Sequence, residues 1–316
     1  MPQTATSGAH PPELGRVYQG ARERTSVTAR VISVRGRSVH LLESGSGPPV
    51  LFLHGTLSPS PFWVSVMQAL PDVHSFAVDR PGQGLSDPGG FATTATQEGA
   101  SSWVAEVMDE LDLPSATIVG HSMGGLWALR FGLAHPERVD RLCVIGAPAL
   151  PGTRAPWPFR VMATPFLGWL AARLPSSEKS VRSFAGAIGE AAGIDNHPEL
   201  IRLMVAVGRD RLAQSVGRAE VCSIVSPRAL LGRSHFRQEA MISGQELSSI
   251  EVPCLYVCGA RDPVGGVAII QDLCETTPNA QFSLLPAGHV PWLEHSEAFA
   301  DPFWRWMSAN GPAEAS

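Results

Sequence analysis

Lysine is almost missing from this chain: Lys179 stands alone among 24 basic residues, and the arginines form no cluster. With a formal net charge of −5, there is no basic patch of the kind that nucleic-acid binding needs, so no nucleic-acid partner is expected. Long apolar runs are missing too, and none reaches the length that spans a bilayer. The stretch from Met1 to Pro12 has neither a charged start nor an apolar core, which speaks against a secretory leader. A disordered tail is expected over residues 1–24. Cysteine is sparse, and Cys143, Cys222, Cys254, Cys258 and Cys274 show no zinc-type spacing. Cys254 and Cys258 fall in one predicted strand, where a rise of about 3.3 Å per residue keeps them too far apart to bond. All five read as small core residues in a reducing compartment, and a cytoplasmic location is expected. Nothing in the residues implies a metal or an organic cofactor.

What remains is an ordinary globular composition, 44% hydrophobic and 17% charged over 316 residues. That length allows one large α/β domain with an insertion. Val27 to Val34 and Ser38 to Glu43 read as strands around the turn Arg35-Gly36-Arg37. Val50-Leu51-Phe52-Leu53 is wholly apolar, as in a sheet covered on both faces, and runs into His54-Gly55. Phe62 to Leu70 reads as helix. Ser75 to Val78 is the next strand and leads into Asp79-Arg80-Pro81-Gly82-Gln83-Gly84, expected to tie loops together. A helix over Thr96 to Leu111 shows an apolar stripe at Trp103, Val104, Val107, Met108 and Leu111. Strands follow at Ala116 to Val119 and Leu142 to Gly146. This alternation predicts a parallel sheet.

It stops after Pro148 and resumes with strands at Cys254 to Cys258 and Gln281 to Leu285, separated by a helix near Val267 to Cys274. A closing helix runs from Glu297 to Met307. Between them, helix-like blocks occur at Phe159 to Arg173, Val181 to Ala191, Pro198 to Gln214 and Arg218 to Leu231. The expected organisation is therefore a core of residues 25–150 and 248–311 with a helical cap over 151–247.

Chemistry enters at Gly120-His121-Ser122-Met123-Gly124, where a strand passes directly into a helix. Gly-x-Ser-x-Gly in that setting is a tight, strained turn that lifts the serine oxygen above the sheet. The following helix N-terminus aims backbone N–H groups at any anion formed there. A nucleophilic serine needs a base, and the base needs an orienting carboxylate. Asp262 follows the Cys254–Cys258 strand and His289 follows the last strand, so both belong to the sheet edge from which Ser122 emerges. His289 is preferred over His295, which looks helical and exposed. His54 and His121 flank the site and read as structural.

The set Leu53-His54-Gly55, Asp79-Arg80-Pro81-Gly82-Gln83-Gly84-Leu85-Ser86, the Ser122 turn, Gly259-Ala260-Arg261-Asp262 and Ala287-Gly288-His289-Val290-Pro291-Trp292-Leu293-Glu294 resembles the α/β-hydrolase superfamily. The likeness is to its capped, esterase- and haloperoxidase-like branch, over about Val27 to Met307. It implies an α/β-hydrolase fold, a mostly parallel central sheet flanked by helices, with a helical cap inserted after the sixth strand. It also implies a Ser122-Asp262-His289 triad and an oxyanion hole from the backbone N–H of Met123 and of Thr56, with Leu57 as the alternative.

The apolar stretch from Trp157 to Leu170 is expected to form a lid whose Trp157, Phe166 and Trp169 wall an acyl pocket together with Phe62, Trp63 and Val290. Relatives that open epoxides or remove halides carry an aspartate where Ser122 stands. Epoxide hydrolases also use cap tyrosines, and here only Tyr18 and Tyr256 exist, neither in the cap. The expected activity is that of a cofactor-independent serine hydrolase acting on a small-to-medium carboxylic ester, thioester or lactone. Carbon–carbon bond hydrolysis of a diketone-type substrate and perhydrolysis by the same triad are the alternatives. A hydrolase-fold ligand-binding protein with little turnover is the alternative from another class. Oligomeric state is not legible.

Overall fold

The computed structural model describes residues 10–23, 25–89, 97–232, 235–294 and 296–309. The apolar runs do what an apolar run must: Pro49–Leu53, Ala116–His121 and Cys254–Gly259 are buried almost throughout and form the middle of the sheet. The strands are β1 (Thr28–Val34), β2 (Arg37–Ser44), β3 (Pro49–Leu53), β4 (His74–Val78), β5 (Ala116–His121), β6 (Val139–Ile145), β7 (Cys254–Gly259) and β8 (Ala280–Leu285). They lie in the order β1-β2-β4-β3-β5-β6-β7-β8. β1 and β2 pair antiparallel, as do β2 and β4, and every other pairing is parallel.

Register is what positions the site. Leu53 pairs with Gly120, Gly120 with Val144, and Ile145 with Val257. The C-terminal ends of β3, β5, β6 and β7 therefore finish level with one another, and β8 ends beside Gly259. β4 ends there too, with Leu53 beside Val78, so six loops leave from one edge.

The helices are α1 (Pro12–Arg22), α2 (Val64–Ala69), α3 (Gln97–Glu110), α4 (Met123–Ala134), α5 (Trp157–Ala163), α6 (Pro165–Ala171), α7 (Glu178–Ala187), α8 (Pro198–Arg209), α9 (Arg211–Ile224), α10 (Gly244–Ser248), α11 (Val267–Thr276) and α12 (Ser296–Ala309). One apolar layer, with Trp103 and Trp127, covers one face of the sheet. The other, with Trp63, Trp292 and Phe303, also takes in Val181, Leu200 and Leu203 from the helices between β6 and β7. The insertion is thus packed as part of the core.

Four local expectations change. The expected tail over residues 1–24 contains α1, which starts at Pro12 and buries Leu14 and Tyr18. Leu14 and Tyr18 are four apart, one helical turn, so a single face docks. The Tyr18 hydroxyl donates to Asp79 at 2.9 and 3.0 Å, and His10 Nδ1 lies 2.6 Å from Asp210 Oδ2. The block Phe159 to Arg173 is two helices, because the Thr164 hydroxyl caps α6 by accepting from Gly168 and Pro165 cannot continue α5. Pro198 to Gln214 is likewise split by Asp210, whose carboxylate accepts the N–H groups of Leu212 and Ala213. The expected helix over Arg218 to Leu231 is the second half of α9, which ends at Ile224.

Candidate active site

Ser122 stands between β5 and α4 at φ +52°, ψ −120°, a conformation that side chains rarely adopt. Its N–H donates to the Ile145 carbonyl at 2.7 Å, which ties the turn to the next strand. A side chain at Gly120 would collide with the Gly124 carbonyl, and one at Gly124 with the Leu53 carbonyl. Both positions need glycine because backbone passes backbone there.

Asp262 and His289 meet from separate loops. His289 Nδ1 lies 3.0 Å from both carboxylate oxygens of Asp262, and both side chains are buried. Asp262 Oδ1 also accepts the Val264 N–H at 2.8 Å, which helps fix the carboxylate beside the ring. With Nδ1 donating to a carboxylate, the other ring nitrogen is the basic one. His289 Nε2 is buried and makes no hydrogen bond among the described residues. His289 and Ser122 line the same cavity, and no hydrogen bond joins their side chains in this state. Burial pushes the His289 imidazolium toward losing its proton. The Asp262 carboxylate, through charge and hydrogen bond, outweighs that and raises its pKa above the usual histidine value.

Gly146 follows β6 at φ +57°, and an added Cβ would lie 2.7 Å from the His289 ring and 2.9 Å from Asp262 Oδ2. Gly146→Ala is therefore expected to displace the Asp262–His289 pair and to lower kcat about 10²-fold, the scale of a misplacement near 1 Å. Steady-state kinetics beside a far-UV spectrum that retains the native fold checks this; a variant with native kcat refutes the contact.

The two flanking histidines are held neutral. His54 Nε2 accepts the Arg80 N–H at 2.9 Å, so Nδ1 is the donor to the Gly55 carbonyl at 2.6 Å. Burial, with Arg80 beside it, lowers its pKa to about 4. His121 bonds the His289 carbonyl at 2.9 Å, and burial followed by the charge of His289 holds its pKa well below the usual value. Neither is placed to act as the base. His295 lies outside the described residues.

On the oxyanion side, Leu57 sits at φ +60° with its N–H donated to Gln83 Oε1 at 2.7 Å. That donor is engaged, which leaves Thr56 of the two candidates. Thr56 and Met123 both line a small cavity of about 30 Å³ that also touches Ser122. A larger cavity of about 330 Å³ opens on the other side of Ser122, walled by Phe62, Phe159, Met162, Val181, Phe184 and Val290 among others.

Of the six side chains expected in the pocket wall, only Phe62 and Val290 are in it. Trp63 is fully buried beneath, stacked on Trp292 with ring centroids 4.3 Å apart. Trp157, Phe166 and Trp169 are 54%, 69% and 46% exposed and face away from the cavity. The break at Thr164 turns α6 so that Phe166 and Trp169 lie on the surface, and Trp157, at the start of α5, borders a separate opening with Arg160 and His235, while Phe159 and Met162 of α5 line the cavity.

Two buried carboxylates of the insertion that reach the site loops escaped the sequence reading. Glu220 of α9 binds the Arg80 guanidinium and accepts from the Thr56 hydroxyl at 2.7 Å and Gln83 Nε2 at 3.0 Å. A signal for it exists: Ala213, Val216, Gly217, Val221 and Ile224 form the buried stripe of α9, and Glu220 falls on that stripe. Glu190, just past α7, is wholly buried against the His289 loop, and no periodicity marks it. Among the described residues no cluster of three or more His, Cys, Asp or Glu is arranged to hold a metal ion, and no helix is long and apolar enough to cross a membrane.

Residues 48–296 match the family model of the alpha/beta hydrolase fold. A 2-hydroxy-6-oxononadienedioate/2-hydroxy-6-oxononatrienedioate hydrolase of Cupriavidus pinatubonensis is 27% identical over 287 residues, covering 86% of this chain and 92% of that one. A 3-oxoadipate enol-lactonase of Acinetobacter baylyi is 26% identical over 196 residues, covering 62% of this chain and 65% of that one. Among solved structures, carboxylesterase CesB of Bacillus subtilis shares the fold with a TM-score of 0.72 at 24% identity, covering 94% of this chain and 99% of that one. The chain belongs to the α/β-hydrolase family, and it is a hydrolase.

Proposed function

We propose that the chain is a cofactor-independent serine hydrolase that cleaves a small-to-medium carboxylic ester, thioester or lactone through an acyl-enzyme, with the helical insertion as the cap that shapes its pocket. The observation that carries this reading is that His289, paired with Asp262 behind it, shares one apolar cavity with Ser122 in its strained turn. His289 Nε2 takes the proton of Ser122 Oγ as Oγ attacks the carbonyl carbon. The oxyanion that forms faces the N–H groups of Met123 and Thr56, donors worth roughly 2.7–4 kcal/mol each in comparable sites. Asp262 holds the ring and stabilises its cation. The leaving oxygen takes the proton from His289. A water deprotonated by His289 then releases the acid and regenerates Ser122.

Cavity shape and charge narrow the substrate. Ser122 and Thr56 border both the 330 Å³ and the 30 Å³ spaces, which suits a substrate with one bulky apolar arm and one arm of a carbon or two. No arginine or lysine lines the large cavity among the described residues, and Glu190 is its one carboxylate. The Cupriavidus relative is named for a dioate, a diacid, and carbon–carbon bond hydrolysis of such a substrate is the second reading. A carboxylate entering an apolar cavity without a cation loses its hydration for nothing in return, which favours the neutral ester.

Accordingly, p-nitrophenyl butyrate and hexanoate are expected to be turned over, and mono-p-nitrophenyl succinate with kcat/KM about 10²-fold lower. Faster cleavage of the charged ester shifts the reading to the diacid. Labelling of Ser122 by a fluorophosphonate separates a working hydrolase from an inert binding protein, and peracid formation from acetate and peroxide tests perhydrolysis.

A further inference from the structure

Residues 188–190, at the end of α7, lie directly on the two loops that bring Asp262 and His289 together. The Ile188 carbonyl accepts the His289 N–H at 3.0 Å, and Glu190 Oε1 accepts the Val290 N–H at 2.6 Å. Gly189, at φ +82°, passes so close that an added Cβ would strike the Arg261 carbonyl and Gly288 Cα. A Cβ on Gly288 would in turn sit 2.7 Å from Glu190 Oε1. The Glu190 side chain is wholly buried, and its Oε2 has no hydrogen-bond partner among the described residues.

An ionised carboxylate so placed is unfavourable unless positive charge stands nearby. The Arg261 guanidinium, from the Asp262 loop, is engaged by Glu294 and the Pro286 carbonyl. Glu294 itself adds like charge. His121 of the Ser122 turn is held neutral by burial, and Asp262 bonds the far edge of the His289 ring. From the insertion, Arg182 and Asp195 pair with each other at the surface, and His197 bonds the Leu293 carbonyl. The group that acquires a full positive charge beside Glu190 is His289, at the moment it takes a proton.

Resting on the serine-hydrolase reading above, we infer that Glu190 is a positioning residue for the reaction: it seats the His289 loop through the Val290 N–H and stabilises the imidazolium formed when Ser122 is deprotonated. No bond is made or broken at Glu190; the proton passes from Ser122 Oγ to His289 Nε2 while the Glu190 carboxylate stays ionised. Burial raises the Glu190 pKa to about 7, against the downward pull of the Val290 N–H and His289. For His289, burial lowers the pKa, Asp262 more than reverses that, and Glu190 adds to the rise. The two therefore titrate as a coupled pair, and the active form has lost both protons. As pH falls through 7, Glu190 gains its proton and the support for the cation disappears.

The test is the acid limb of log kcat/KM against pH on p-nitrophenyl butyrate. The wild-type chain is expected to fall with a slope that exceeds one over about the first pH unit of the limb, Glu190→Gln with a slope of one throughout. At pH 8, Glu190→Gln is expected to lose about tenfold in kcat, the equivalent of one pKa unit in the base, with KM within about twofold. Glutamine keeps an oxygen for the Val290 N–H, so a purely structural role would leave kcat and slope unchanged in this variant; that outcome overturns the inference. Should Glu190→Gln not fold, the wild-type limb still decides, since a slope that nowhere exceeds one overturns it alone. Ser122→Ala keeps the outcomes distinct: residual full turnover there sinks the serine-hydrolase reading, whereas a dead Ser122→Ala with a wild-type slope that nowhere exceeds one sinks only the role of Glu190.

Discussion

Ser122→Ala and Ser122→Gly are each expected to lower kcat on p-nitrophenyl butyrate by about 10⁶, the scale of nucleophile loss in a serine protease triad. The two should differ in stability. Ser122 is held at φ +52°, ψ −120° by the Ile145 carbonyl behind it and by the close passage of Gly120 and Gly124. Strain of this kind costs about 1–3 kcal/mol for any residue with a Cβ. Alanine keeps that strain and glycine releases it. Glycine also gives the unfolded chain more freedom, which offsets about 0.4–1 kcal/mol. Ser122→Gly is therefore expected to unfold at higher urea than Ser122→Ala, by about 1 kcal/mol. Equal unfolding midpoints would mean that the turn is not strained. A Ser122→Ala protein with native turnover would remove Ser122 from the chemistry altogether.

Legibility followed locality. Ser122 and Asp262 each follow an apolar β-run, and an apolar run ending in a turn is visible within ten residues; His289 follows the mixed strand Ala280–Leu285. The level strand ends follow from parallel pairing, so the convergence of three loops could be read before any coordinates. The insertion lacks such a frame. An aromatic residue reports that it prefers burial, not which side of a helix finds a neighbour. A one-residue break at Thr164 sends Phe166 and Trp169 to the surface and Phe159 into the cavity. The helix at Pro12–Arg22 went unread because its apolar side chains, Leu14, Val17, Tyr18 and Ala21, are few in a polar stretch. What holds it is tertiary, the Tyr18–Asp79 and His10–Asp210 bonds across 61 and 200 residues. Glu190 and Glu220 escaped for the same reason: a glutamate in a helical segment is ordinarily solvated, and its burial is set by the surface that comes to meet it.

Glu220→Ala is expected to destabilise the chain by about 3–5 kcal/mol, the penalty for stranding one partner of a buried ion pair. Arg80 is 1% exposed and Glu220 2%. The guanidinium uses Nε on the His54 carbonyl at 2.9 Å, lies 4.9 Å from the centre of the Trp127 ring, and turns both terminal nitrogens to Glu220. Without Glu220 that charge has no counter-ion and no access to water. The Arg80→Met/Glu220→Met pair removes both charges and keeps the volume, and it is expected to be more stable than Glu220→Ala alone. Urea unfolding of the three proteins measures this, and a Glu220→Ala chain as stable as wild type refutes it. Activity should follow by a separate route. Glu220 holds the Thr56 hydroxyl and Gln83 Nε2, and Gln83 Oε1 in turn holds the Leu57 N–H. The backbone that offers the Thr56 N–H to an oxyanion is thereby fixed from the insertion. Loss of one such donor lowers kcat by about 10²–10³, so the double methionine variant is expected to recover stability while kcat stays at least tenfold down. Full recovery of kcat in that variant would show that the oxyanion loop holds its shape without Glu220.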